Sequence, residues 1–356
     1  MPLILYRSAQ LLVKAAHRGS ECCVVTFDSF TDNVDLDRPA FGEEFLARHG
    51  ISAVHVVNAR NHWYHEPDWW EAVSAARAAA SGHARILSYG SSMGGYAALR
   101  FADHVGATSA LAFSPQYSID PRKAPFERRW PEFRRRKWLP ELSGPLSSGI
   151  SAVVVYDPVM EAERLHTERI AAEMSVRKLA LPHAGHQTAA FLAECGLLSD
   201  IALQMVAGWP DLAGIGSQAR ARRKQSPHYL IALSACAERM KRSATAEVLV
   251  RRAIAIAPGA AAGWDRLGHL LSRLKRHDEA VETFRRLVEL LPDVAAARLR
   301  LAKAQCAAGD HGGALETLRS LAGRAMTRER RRDIRMLTLE VQVRRLAARL
   351  RRASPV

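Results

Sequence analysis

Apolar and polar positions change rhythm once along this chain. Through the first half, short unbroken apolar runs recur: CCVVTF (22–27), SAVHVV (52–57), ARILSY (84–89), TSALAF (108–113), SAVVVY (151–156) and VRKLAL (176–181). Runs of this length without polar alternation predict strands covered on both faces. Helical segments, 40–48, 68–80 and 95–104 among them, lie between the runs. Strand–helix–strand alternation with long crossovers predicts an α/β fold built on a doubly wound, mostly parallel sheet.

One connection breaks the rhythm. Residues 115–149 hold Pro115, Pro121, Pro125, Pro131, Pro140 and Pro145, the aromatics Phe126, Trp130 and Trp138, and a cluster of arginines. So long an insertion predicts a lid that selects substrate, its arginines suited to anionic groups. The alternative is a basic solvated helix over 126–138 with its aromatics turned into the core. Farther on, GSQARARRKQSP (216–227) is polar, basic and flanked by Gly and Pro. It reads as a linker between domains at 1–215 and 228–356.

Beyond 228 the pattern is helical and repeats at a spacing of 34, in Ala246, Ala280 and Ala314, in Leu233, Leu267 and Leu301, and in Pro258 and Pro292. The middle copy is the fullest: Trp264, Leu267, Gly268, Leu271, Ala280, Phe284 and Pro292. Small residues at 268 and 280 let two helices approach, and Pro292 ends the second helix. Residues 228–325 resemble the tetratricopeptide family, with Leu230 and Arg298 at the tryptophan position of the outer copies. That resemblance implies an all-α repeat domain with a protein partner. The last helix (328–350) has Leu339, Val343, Leu346 and Leu350 on one face and is expected to cap the array.

Composition narrows the class. An apolar share of 48% over 356 residues suits two domains with proper cores. The five cysteines (22, 23, 195, 236, 306) are odd in number and lack C-x-x-C spacing, which predicts buried thiols rather than disulfides or a zinc site. No cofactor or metal motif is found. MPLILYRSAQLLVKAAHRGS lacks the order of a signal peptide, and no run approaches the roughly 20 apolar residues that span a bilayer. A cytoplasmic protein is expected. A formal charge of +15 first suggests nucleic acid, but the arginines are dispersed and no nucleic-acid motif accompanies them. Solvated helix faces account for them more simply.

The chemistry concentrates in ARILSYGSSMGGYAALRFA, where an apolar strand meets Gly90-Ser91-Ser92-Met93-Gly94 and then a helix. The bare G-x-S-x-G pattern is weak. Its strand-to-helix context is that of a nucleophile elbow, with glycines leaving room for a serine on a sharp turn. Serine needs a base and a group that orients the base. His186, after the run 176–181, is the candidate base, ahead of His183. Asp157, at the end of the run 151–156, is the candidate acid, with Asp120 competing. An oxyanion hole needs two backbone N–H groups. Met93 should give one, and Ser29 or Phe30 the other.

Residues 20–205 thus look like the α/β-hydrolase superfamily. YGSSMGGYAAL, with SPQYSIDP downstream and NHWYHE upstream, is similar to a bacterial esterase-like group that often carries tetratricopeptide tails and belongs among polysaccharide-assembly functions. This resemblance implies a carbohydrate acyl ester as substrate. Trp63, Tyr64, Tyr117 and Trp130 are the expected pocket residues. Two other readings stay open: acyl transfer through the same triad, and a non-catalytic adaptor whose repeats bind a protein.

Overall fold

The computed structural model describes residues 2–31, 33–133, 136–147, 149–321 and 328–353. The six apolar runs form strands β3 (Cys22–Phe27), β4 (Ser52–Asn58), β5 (Arg85–Ser91), β6 (Ser109–Phe113), β7 (Ser151–Tyr156) and β8 (Ser175–Ala180). Two strands precede them, β1 (Leu3–Arg7) and β2 (Leu11–Ala16). The sheet runs β1-β2-β4-β3-β5-β6-β7-β8. β2 is antiparallel to both neighbours, and the other pairs are parallel.

The N-terminal hairpin was hidden by Arg7 and Lys14, which interrupt the apolar pattern. Lys14 is nevertheless buried. Its Nζ lies 2.7 Å from Glu43 and 3.1 Å from the carbonyl of Arg38, so its charge is matched inside the fold. β8, at the other edge, keeps Arg177 and Lys178 exposed, which discourages edge-to-edge association.

Seven helices of this first unit are α1 (Glu43–Arg48), α2 (Trp69–Ala80), α3 (Met93–Arg100), α4 (Glu161–Glu173), α5 (Thr188–Glu194), α6 (Leu198–Ala207) and α7 (Leu212–Arg222). α2, α3 and α4 share one core cluster with Val25, Val54, Ala110 and Val154 of the sheet. α6 packs on β3, and α7 on β8. Among the described residues, no single helix is long and apolar enough to cross a membrane; α5 and α6 together pass only as a pair bent by 106°.

The compact units are Met1–Tyr229 and Leu230–Val356, so the division falls inside α8 (Pro227–Arg239). The stretch expected to be a linker instead belongs largely to the first unit. Ile215 and Ala219, one turn apart, are buried along α7, and the Asp211 carboxylate caps that helix by accepting from Gly214 N–H. Beyond it, Ser226 and His228 both bond to Glu194. A chain cut at residue 215 loses these ties and is expected to unfold at a lower temperature than one cut at residue 239. Equal thermal midpoints would return 216–227 to the status of a linker.

The second unit continues with α9 (Ser243–Ile256), α10 (Ala261–Arg273), α11 (His277–Leu290), α12 (Ala295–Ala307), α13 (His311–Arg319) and α14 (Arg328–Ala353). Ala246, Ala280 and Ala314 are fully buried at matching positions of α9, α11 and α13. A Cβ on Gly268 would come within 2.5 Å of the Phe284 ring, so glycine is what lets α10 and α11 approach. The last helix turns the other way from expectation. Leu337 and Val341 enter the core, whereas Leu339, Val343 and Leu346 are exposed. The side chain of Leu350 lies outside the described residues.

Candidate active site

Ser92 stands between β5 and α3 with φ 54° and ψ −119°, a conformation unfavourable for any residue but glycine. The glycines around it are required by contact. A Cβ on Gly90 would lie 2.1 Å from the Gly94 carbonyl oxygen, and one on Gly94 would lie 2.2 Å from that of Phe27. Ser92 N–H donates to the Phe113 carbonyl (2.8 Å), tying the turn to β6.

The loop after β8 brings His186 to this turn. Its Nε2 lies 2.8 Å from Ser92 Oγ, and its Nδ1 lies 2.8 Å from Glu163 Oε1. Asp157, expected beside His186, does other work. Its buried carboxylate accepts N–H bonds from Val159 (2.9 Å), His183 (3.1 Å) and Gly185 (2.9 Å). It therefore shapes the loop that carries His186. Asp120 is turned to Arg122, with one contact of 2.6 Å.

Glu163 is the residue that sequence reasoning missed. It lies in the first turn of α4, beside Glu161, where acidic side chains suit the helix dipole. Both expected acids, Asp157 and Asp120, lie in loops that follow strands, whereas this one lies in the helix after β7. Burial alone would raise the Glu163 carboxyl, but hydrogen bonds and charge from His186 and Arg129 outweigh it and hold it below its ordinary value.

Arg129 is one of the arginines of the insertion expected to face an anionic substrate. Instead it bridges Glu163 and Glu127, the latter at 2.6 Å, and stacks 4.5 Å over the Trp130 ring. Its Nη1 is 3.3 Å from His186 Nδ1, so two donors converge on Glu163 Oε1. Glu127 in turn meets His166 Nε2 at 3.0 Å. His166 Nδ1 accepts from Tyr117 N–H (3.1 Å), so its proton sits on Nε2 and points at Glu127.

The rest of 115–149 follows the same pattern. Among its described residues there is no helix over 126–138 and only a short 3₁₀ turn at Pro140–Leu142. Arg136 donates to the carbonyls of His62 and His65, and Trp138 is buried against His65. Arg134 and Arg135 lie outside the described residues. Arg129 and Arg136 thus brace the insertion from within, while Arg122 and Arg128 are exposed.

Met93 opens α3, where helix geometry leaves its N–H without an intrahelical acceptor. Ser29 Oγ donates to the Ser91 carbonyl (2.8 Å), and Phe30 packs on Trp63 and Phe133. The loop after β3 thus runs alongside the turn. Of the expected pocket residues, Trp130 stands at the site, 5.6 Å from the His186 ring. The other three are packed away. Trp63 and Tyr64 are 0% and 2% exposed, and Tyr117 OH donates to Glu173 (2.5 Å). Large rings beside a sheet edge go where the most apolar area is removed from water.

Acid should loosen this region. Burial, with Arg136 and Arg100 nearby, pushes His65 down to about 3, and burial pushes His55 to about 4. An unfolded chain takes up these protons from pH ~6.5 downward, while the folded chain does not. Glu127 and Glu163, held below their ordinary values, add a loss once the pH passes ~4.3. The thermal midpoint is expected to fall from pH 6.5 to pH 4. A flat midpoint over that range would contradict this account.

Several known proteins share parts of this architecture. A tetratricopeptide-repeat family model matches residues 271–333. No curated protein matches the chain in sequence. A capsule O-acetyltransferase of Neisseria meningitidis serogroup A is 10% identical, with a TM-score of 0.41 over 57% of this chain and 93% of that one. Est1E from Butyrivibrio proteoclasticus is 13% identical, with a TM-score of 0.39 over 58% and 99%. MamA is 12% identical, with a TM-score of 0.29 over 47% and 88%. By its own strand order and its strand–serine–helix turn, the first unit has an α/β-hydrolase-type fold, and helical repeats similar to the tetratricopeptide family follow it.

Proposed function

We propose that the first unit cleaves an acyl ester through Ser92, with His186 as base and Glu163 as the acid that orients it. The observation that carries this reading is the pair of 2.8 Å contacts, Ser92 Oγ to His186 Nε2 and His186 Nδ1 to Glu163 Oε1. His186 Nε2 takes the serine proton as Oγ attacks the ester carbonyl. Glu163 accepts from Nδ1 and stabilises the imidazolium. The carbonyl oxygen's charge falls to Met93 N–H and to an N–H of the Ser29–Phe30 loop. His186 then protonates the departing alcohol, and water releases the acyl group by the reverse sequence.

The carbohydrate acyl ester implied by the resemblance of YGSSMGGYAAL is the substrate to try first. Transfer to a hydroxyl acceptor shares every step up to the acyl-enzyme and would appear as acceptor-dependent product. For the second unit we propose a protein-binding role, which rests on the tetratricopeptide match. The decisive experiment is covalent labelling with a fluorophosphonate and mapping of the modified peptide. Modification at Ser92 is expected. A folded protein that takes no label would favour the adaptor reading.

A further inference from the structure

Gln116 stands beside the nucleophile and plays no part in the reading above. It follows β6 in the loop Ser114-Pro115-Gln116 and is 1% exposed. Its Nε2 lies 3.3 Å from Ser92 Oγ and 3.4 Å from the Ser114 carbonyl. Its Oε1 lies 3.0 Å from Trp63 Nε1. An amide side chain can ordinarily flip, exchanging donor and acceptor. This one cannot do so without penalty. The indole N–H is donor-only, so it requires the oxygen of Gln116 and turns the NH₂ toward Ser92.

The lock is itself built at a cost. Trp63 and Tyr64 both hold positive φ, 50° and 58°, a conformation unfavourable for such bulky residues. Tyr64 OH is fastened to the Asp28 carbonyl (2.9 Å). Phe30, Trp130 and Phe133 pack around the Trp63 ring. The indole is therefore packed on several sides, and it fixes which end of the amide faces it.

We propose that Gln116 is a catalytic hydrogen-bond donor to Ser92 Oγ, a side-chain complement to the two backbone donors expected at the carbonyl oxygen. The proposal rests on Ser92 being the nucleophile. In the resting site the hydroxyl proton points to His186, and an Oγ lone pair faces Gln116. As the proton passes to His186 Nε2, negative charge grows on Oγ before its electron pair forms the bond to the ester carbon. A fixed donor stabilises that charge without reorganisation, whereas water in the same place would have to turn. The donor also holds Oγ in the rotamer that faces His186.

The test compares Q116M and Q116E with the full-length wild-type chain, using the rate of fluorophosphonate labelling and kcat and KM on a small neutral ester. Q116M keeps the volume and removes the donor. Labelling and kcat are expected to fall about 10²-fold with KM little changed, the loss typical of one donor at a developing charge. Q116E keeps an acceptor for Trp63, so a purely structural role would leave it active. Here it is expected to be slow, and slower as pH rises from 6 to 9, because only the protonated carboxyl can donate. The wild type should not slow over that range. Wild-type rates and pH dependence in Q116E, or in a Q116M shown to be folded by its unfolding transition, would overturn the proposal. A wild-type chain that takes no label at Ser92 would overturn the nucleophile reading first and this one with it.

Discussion

Replacing Ser92 with alanine is expected to lower acyl-ester turnover by about 10⁴-fold or more and to abolish fluorophosphonate labelling. Alanine removes the only atom that can form the acyl-enzyme while leaving the turn's Cβ in place. The elbow should survive, because its geometry is held by Gly90 and Gly94 and by the Ser92 N–H bond to Phe113, none of which needs the hydroxyl. The neighbouring serines are poor substitutes. Ser114 Oγ is buried and paired with Thr188 Oγ1 at 2.8 Å. Ser91 precedes the turn on β5, and its carbonyl already accepts from Ser29. The thermal midpoint should move by little. Labelling that persists in S92A, or that maps to Ser91 or Ser114, would sink the assignment.

The second large effect separates two carboxylates. E163Q is expected to lower kcat about 10³-fold, whereas D157N should cost no more than about tenfold. With glutamine at 163, the imidazolium formed during attack loses its counter-charge, and Arg129 loses one of the two carboxylates it bridges. The effect should sit in kcat rather than KM, because the charge on His186 exists only after proton transfer. Combined with H186A, E163Q should add little, since residues acting as a unit are not additive. D157N instead weakens the acceptor of three loop N–H groups, so it should appear mainly in stability. A severe D157N with a mild E163Q would give the orienting role to Asp157.

That contrast shows where sequence reasoning stopped. Ser92 and His186 could be found because the turn and the final loop follow directly from apolar runs. Glu163 could not, because nothing local distinguishes it from Glu161 beside it or from the aspartate at the strand end. Helical phase decides which acid faces the loop from β8. Gln116 was equally silent. A glutamine after a proline has no periodicity, and its meaning comes from an indole 53 positions earlier in the chain.

The insertion teaches the same lesson about charge. Its arginines read as a surface feature, yet Arg129 is held between Glu127 and Glu163, and Arg136 braces the loop at 62–65. A guanidinium offers five donors in a rigid fork, so it can fasten a loop that has few backbone partners of its own. On α14 the error lay in choosing between two apolar faces. Leu337 and Val341 pack, and Leu339, Val343 and Leu346 do not.

The sequence by itself determined the alternation of strand and helix, the serine turn and the 34-residue repeat. Each is written in local spacing, and local spacing is what backbone periodicity and close contact act on. Tertiary structure alone decided which carboxylate meets His186, which way the Gln116 amide points, and that residues 216–222 complete a helix on β8. These depend on side chains that approach from distant segments, where burial makes each unmet charge or donor costly enough to select a partner.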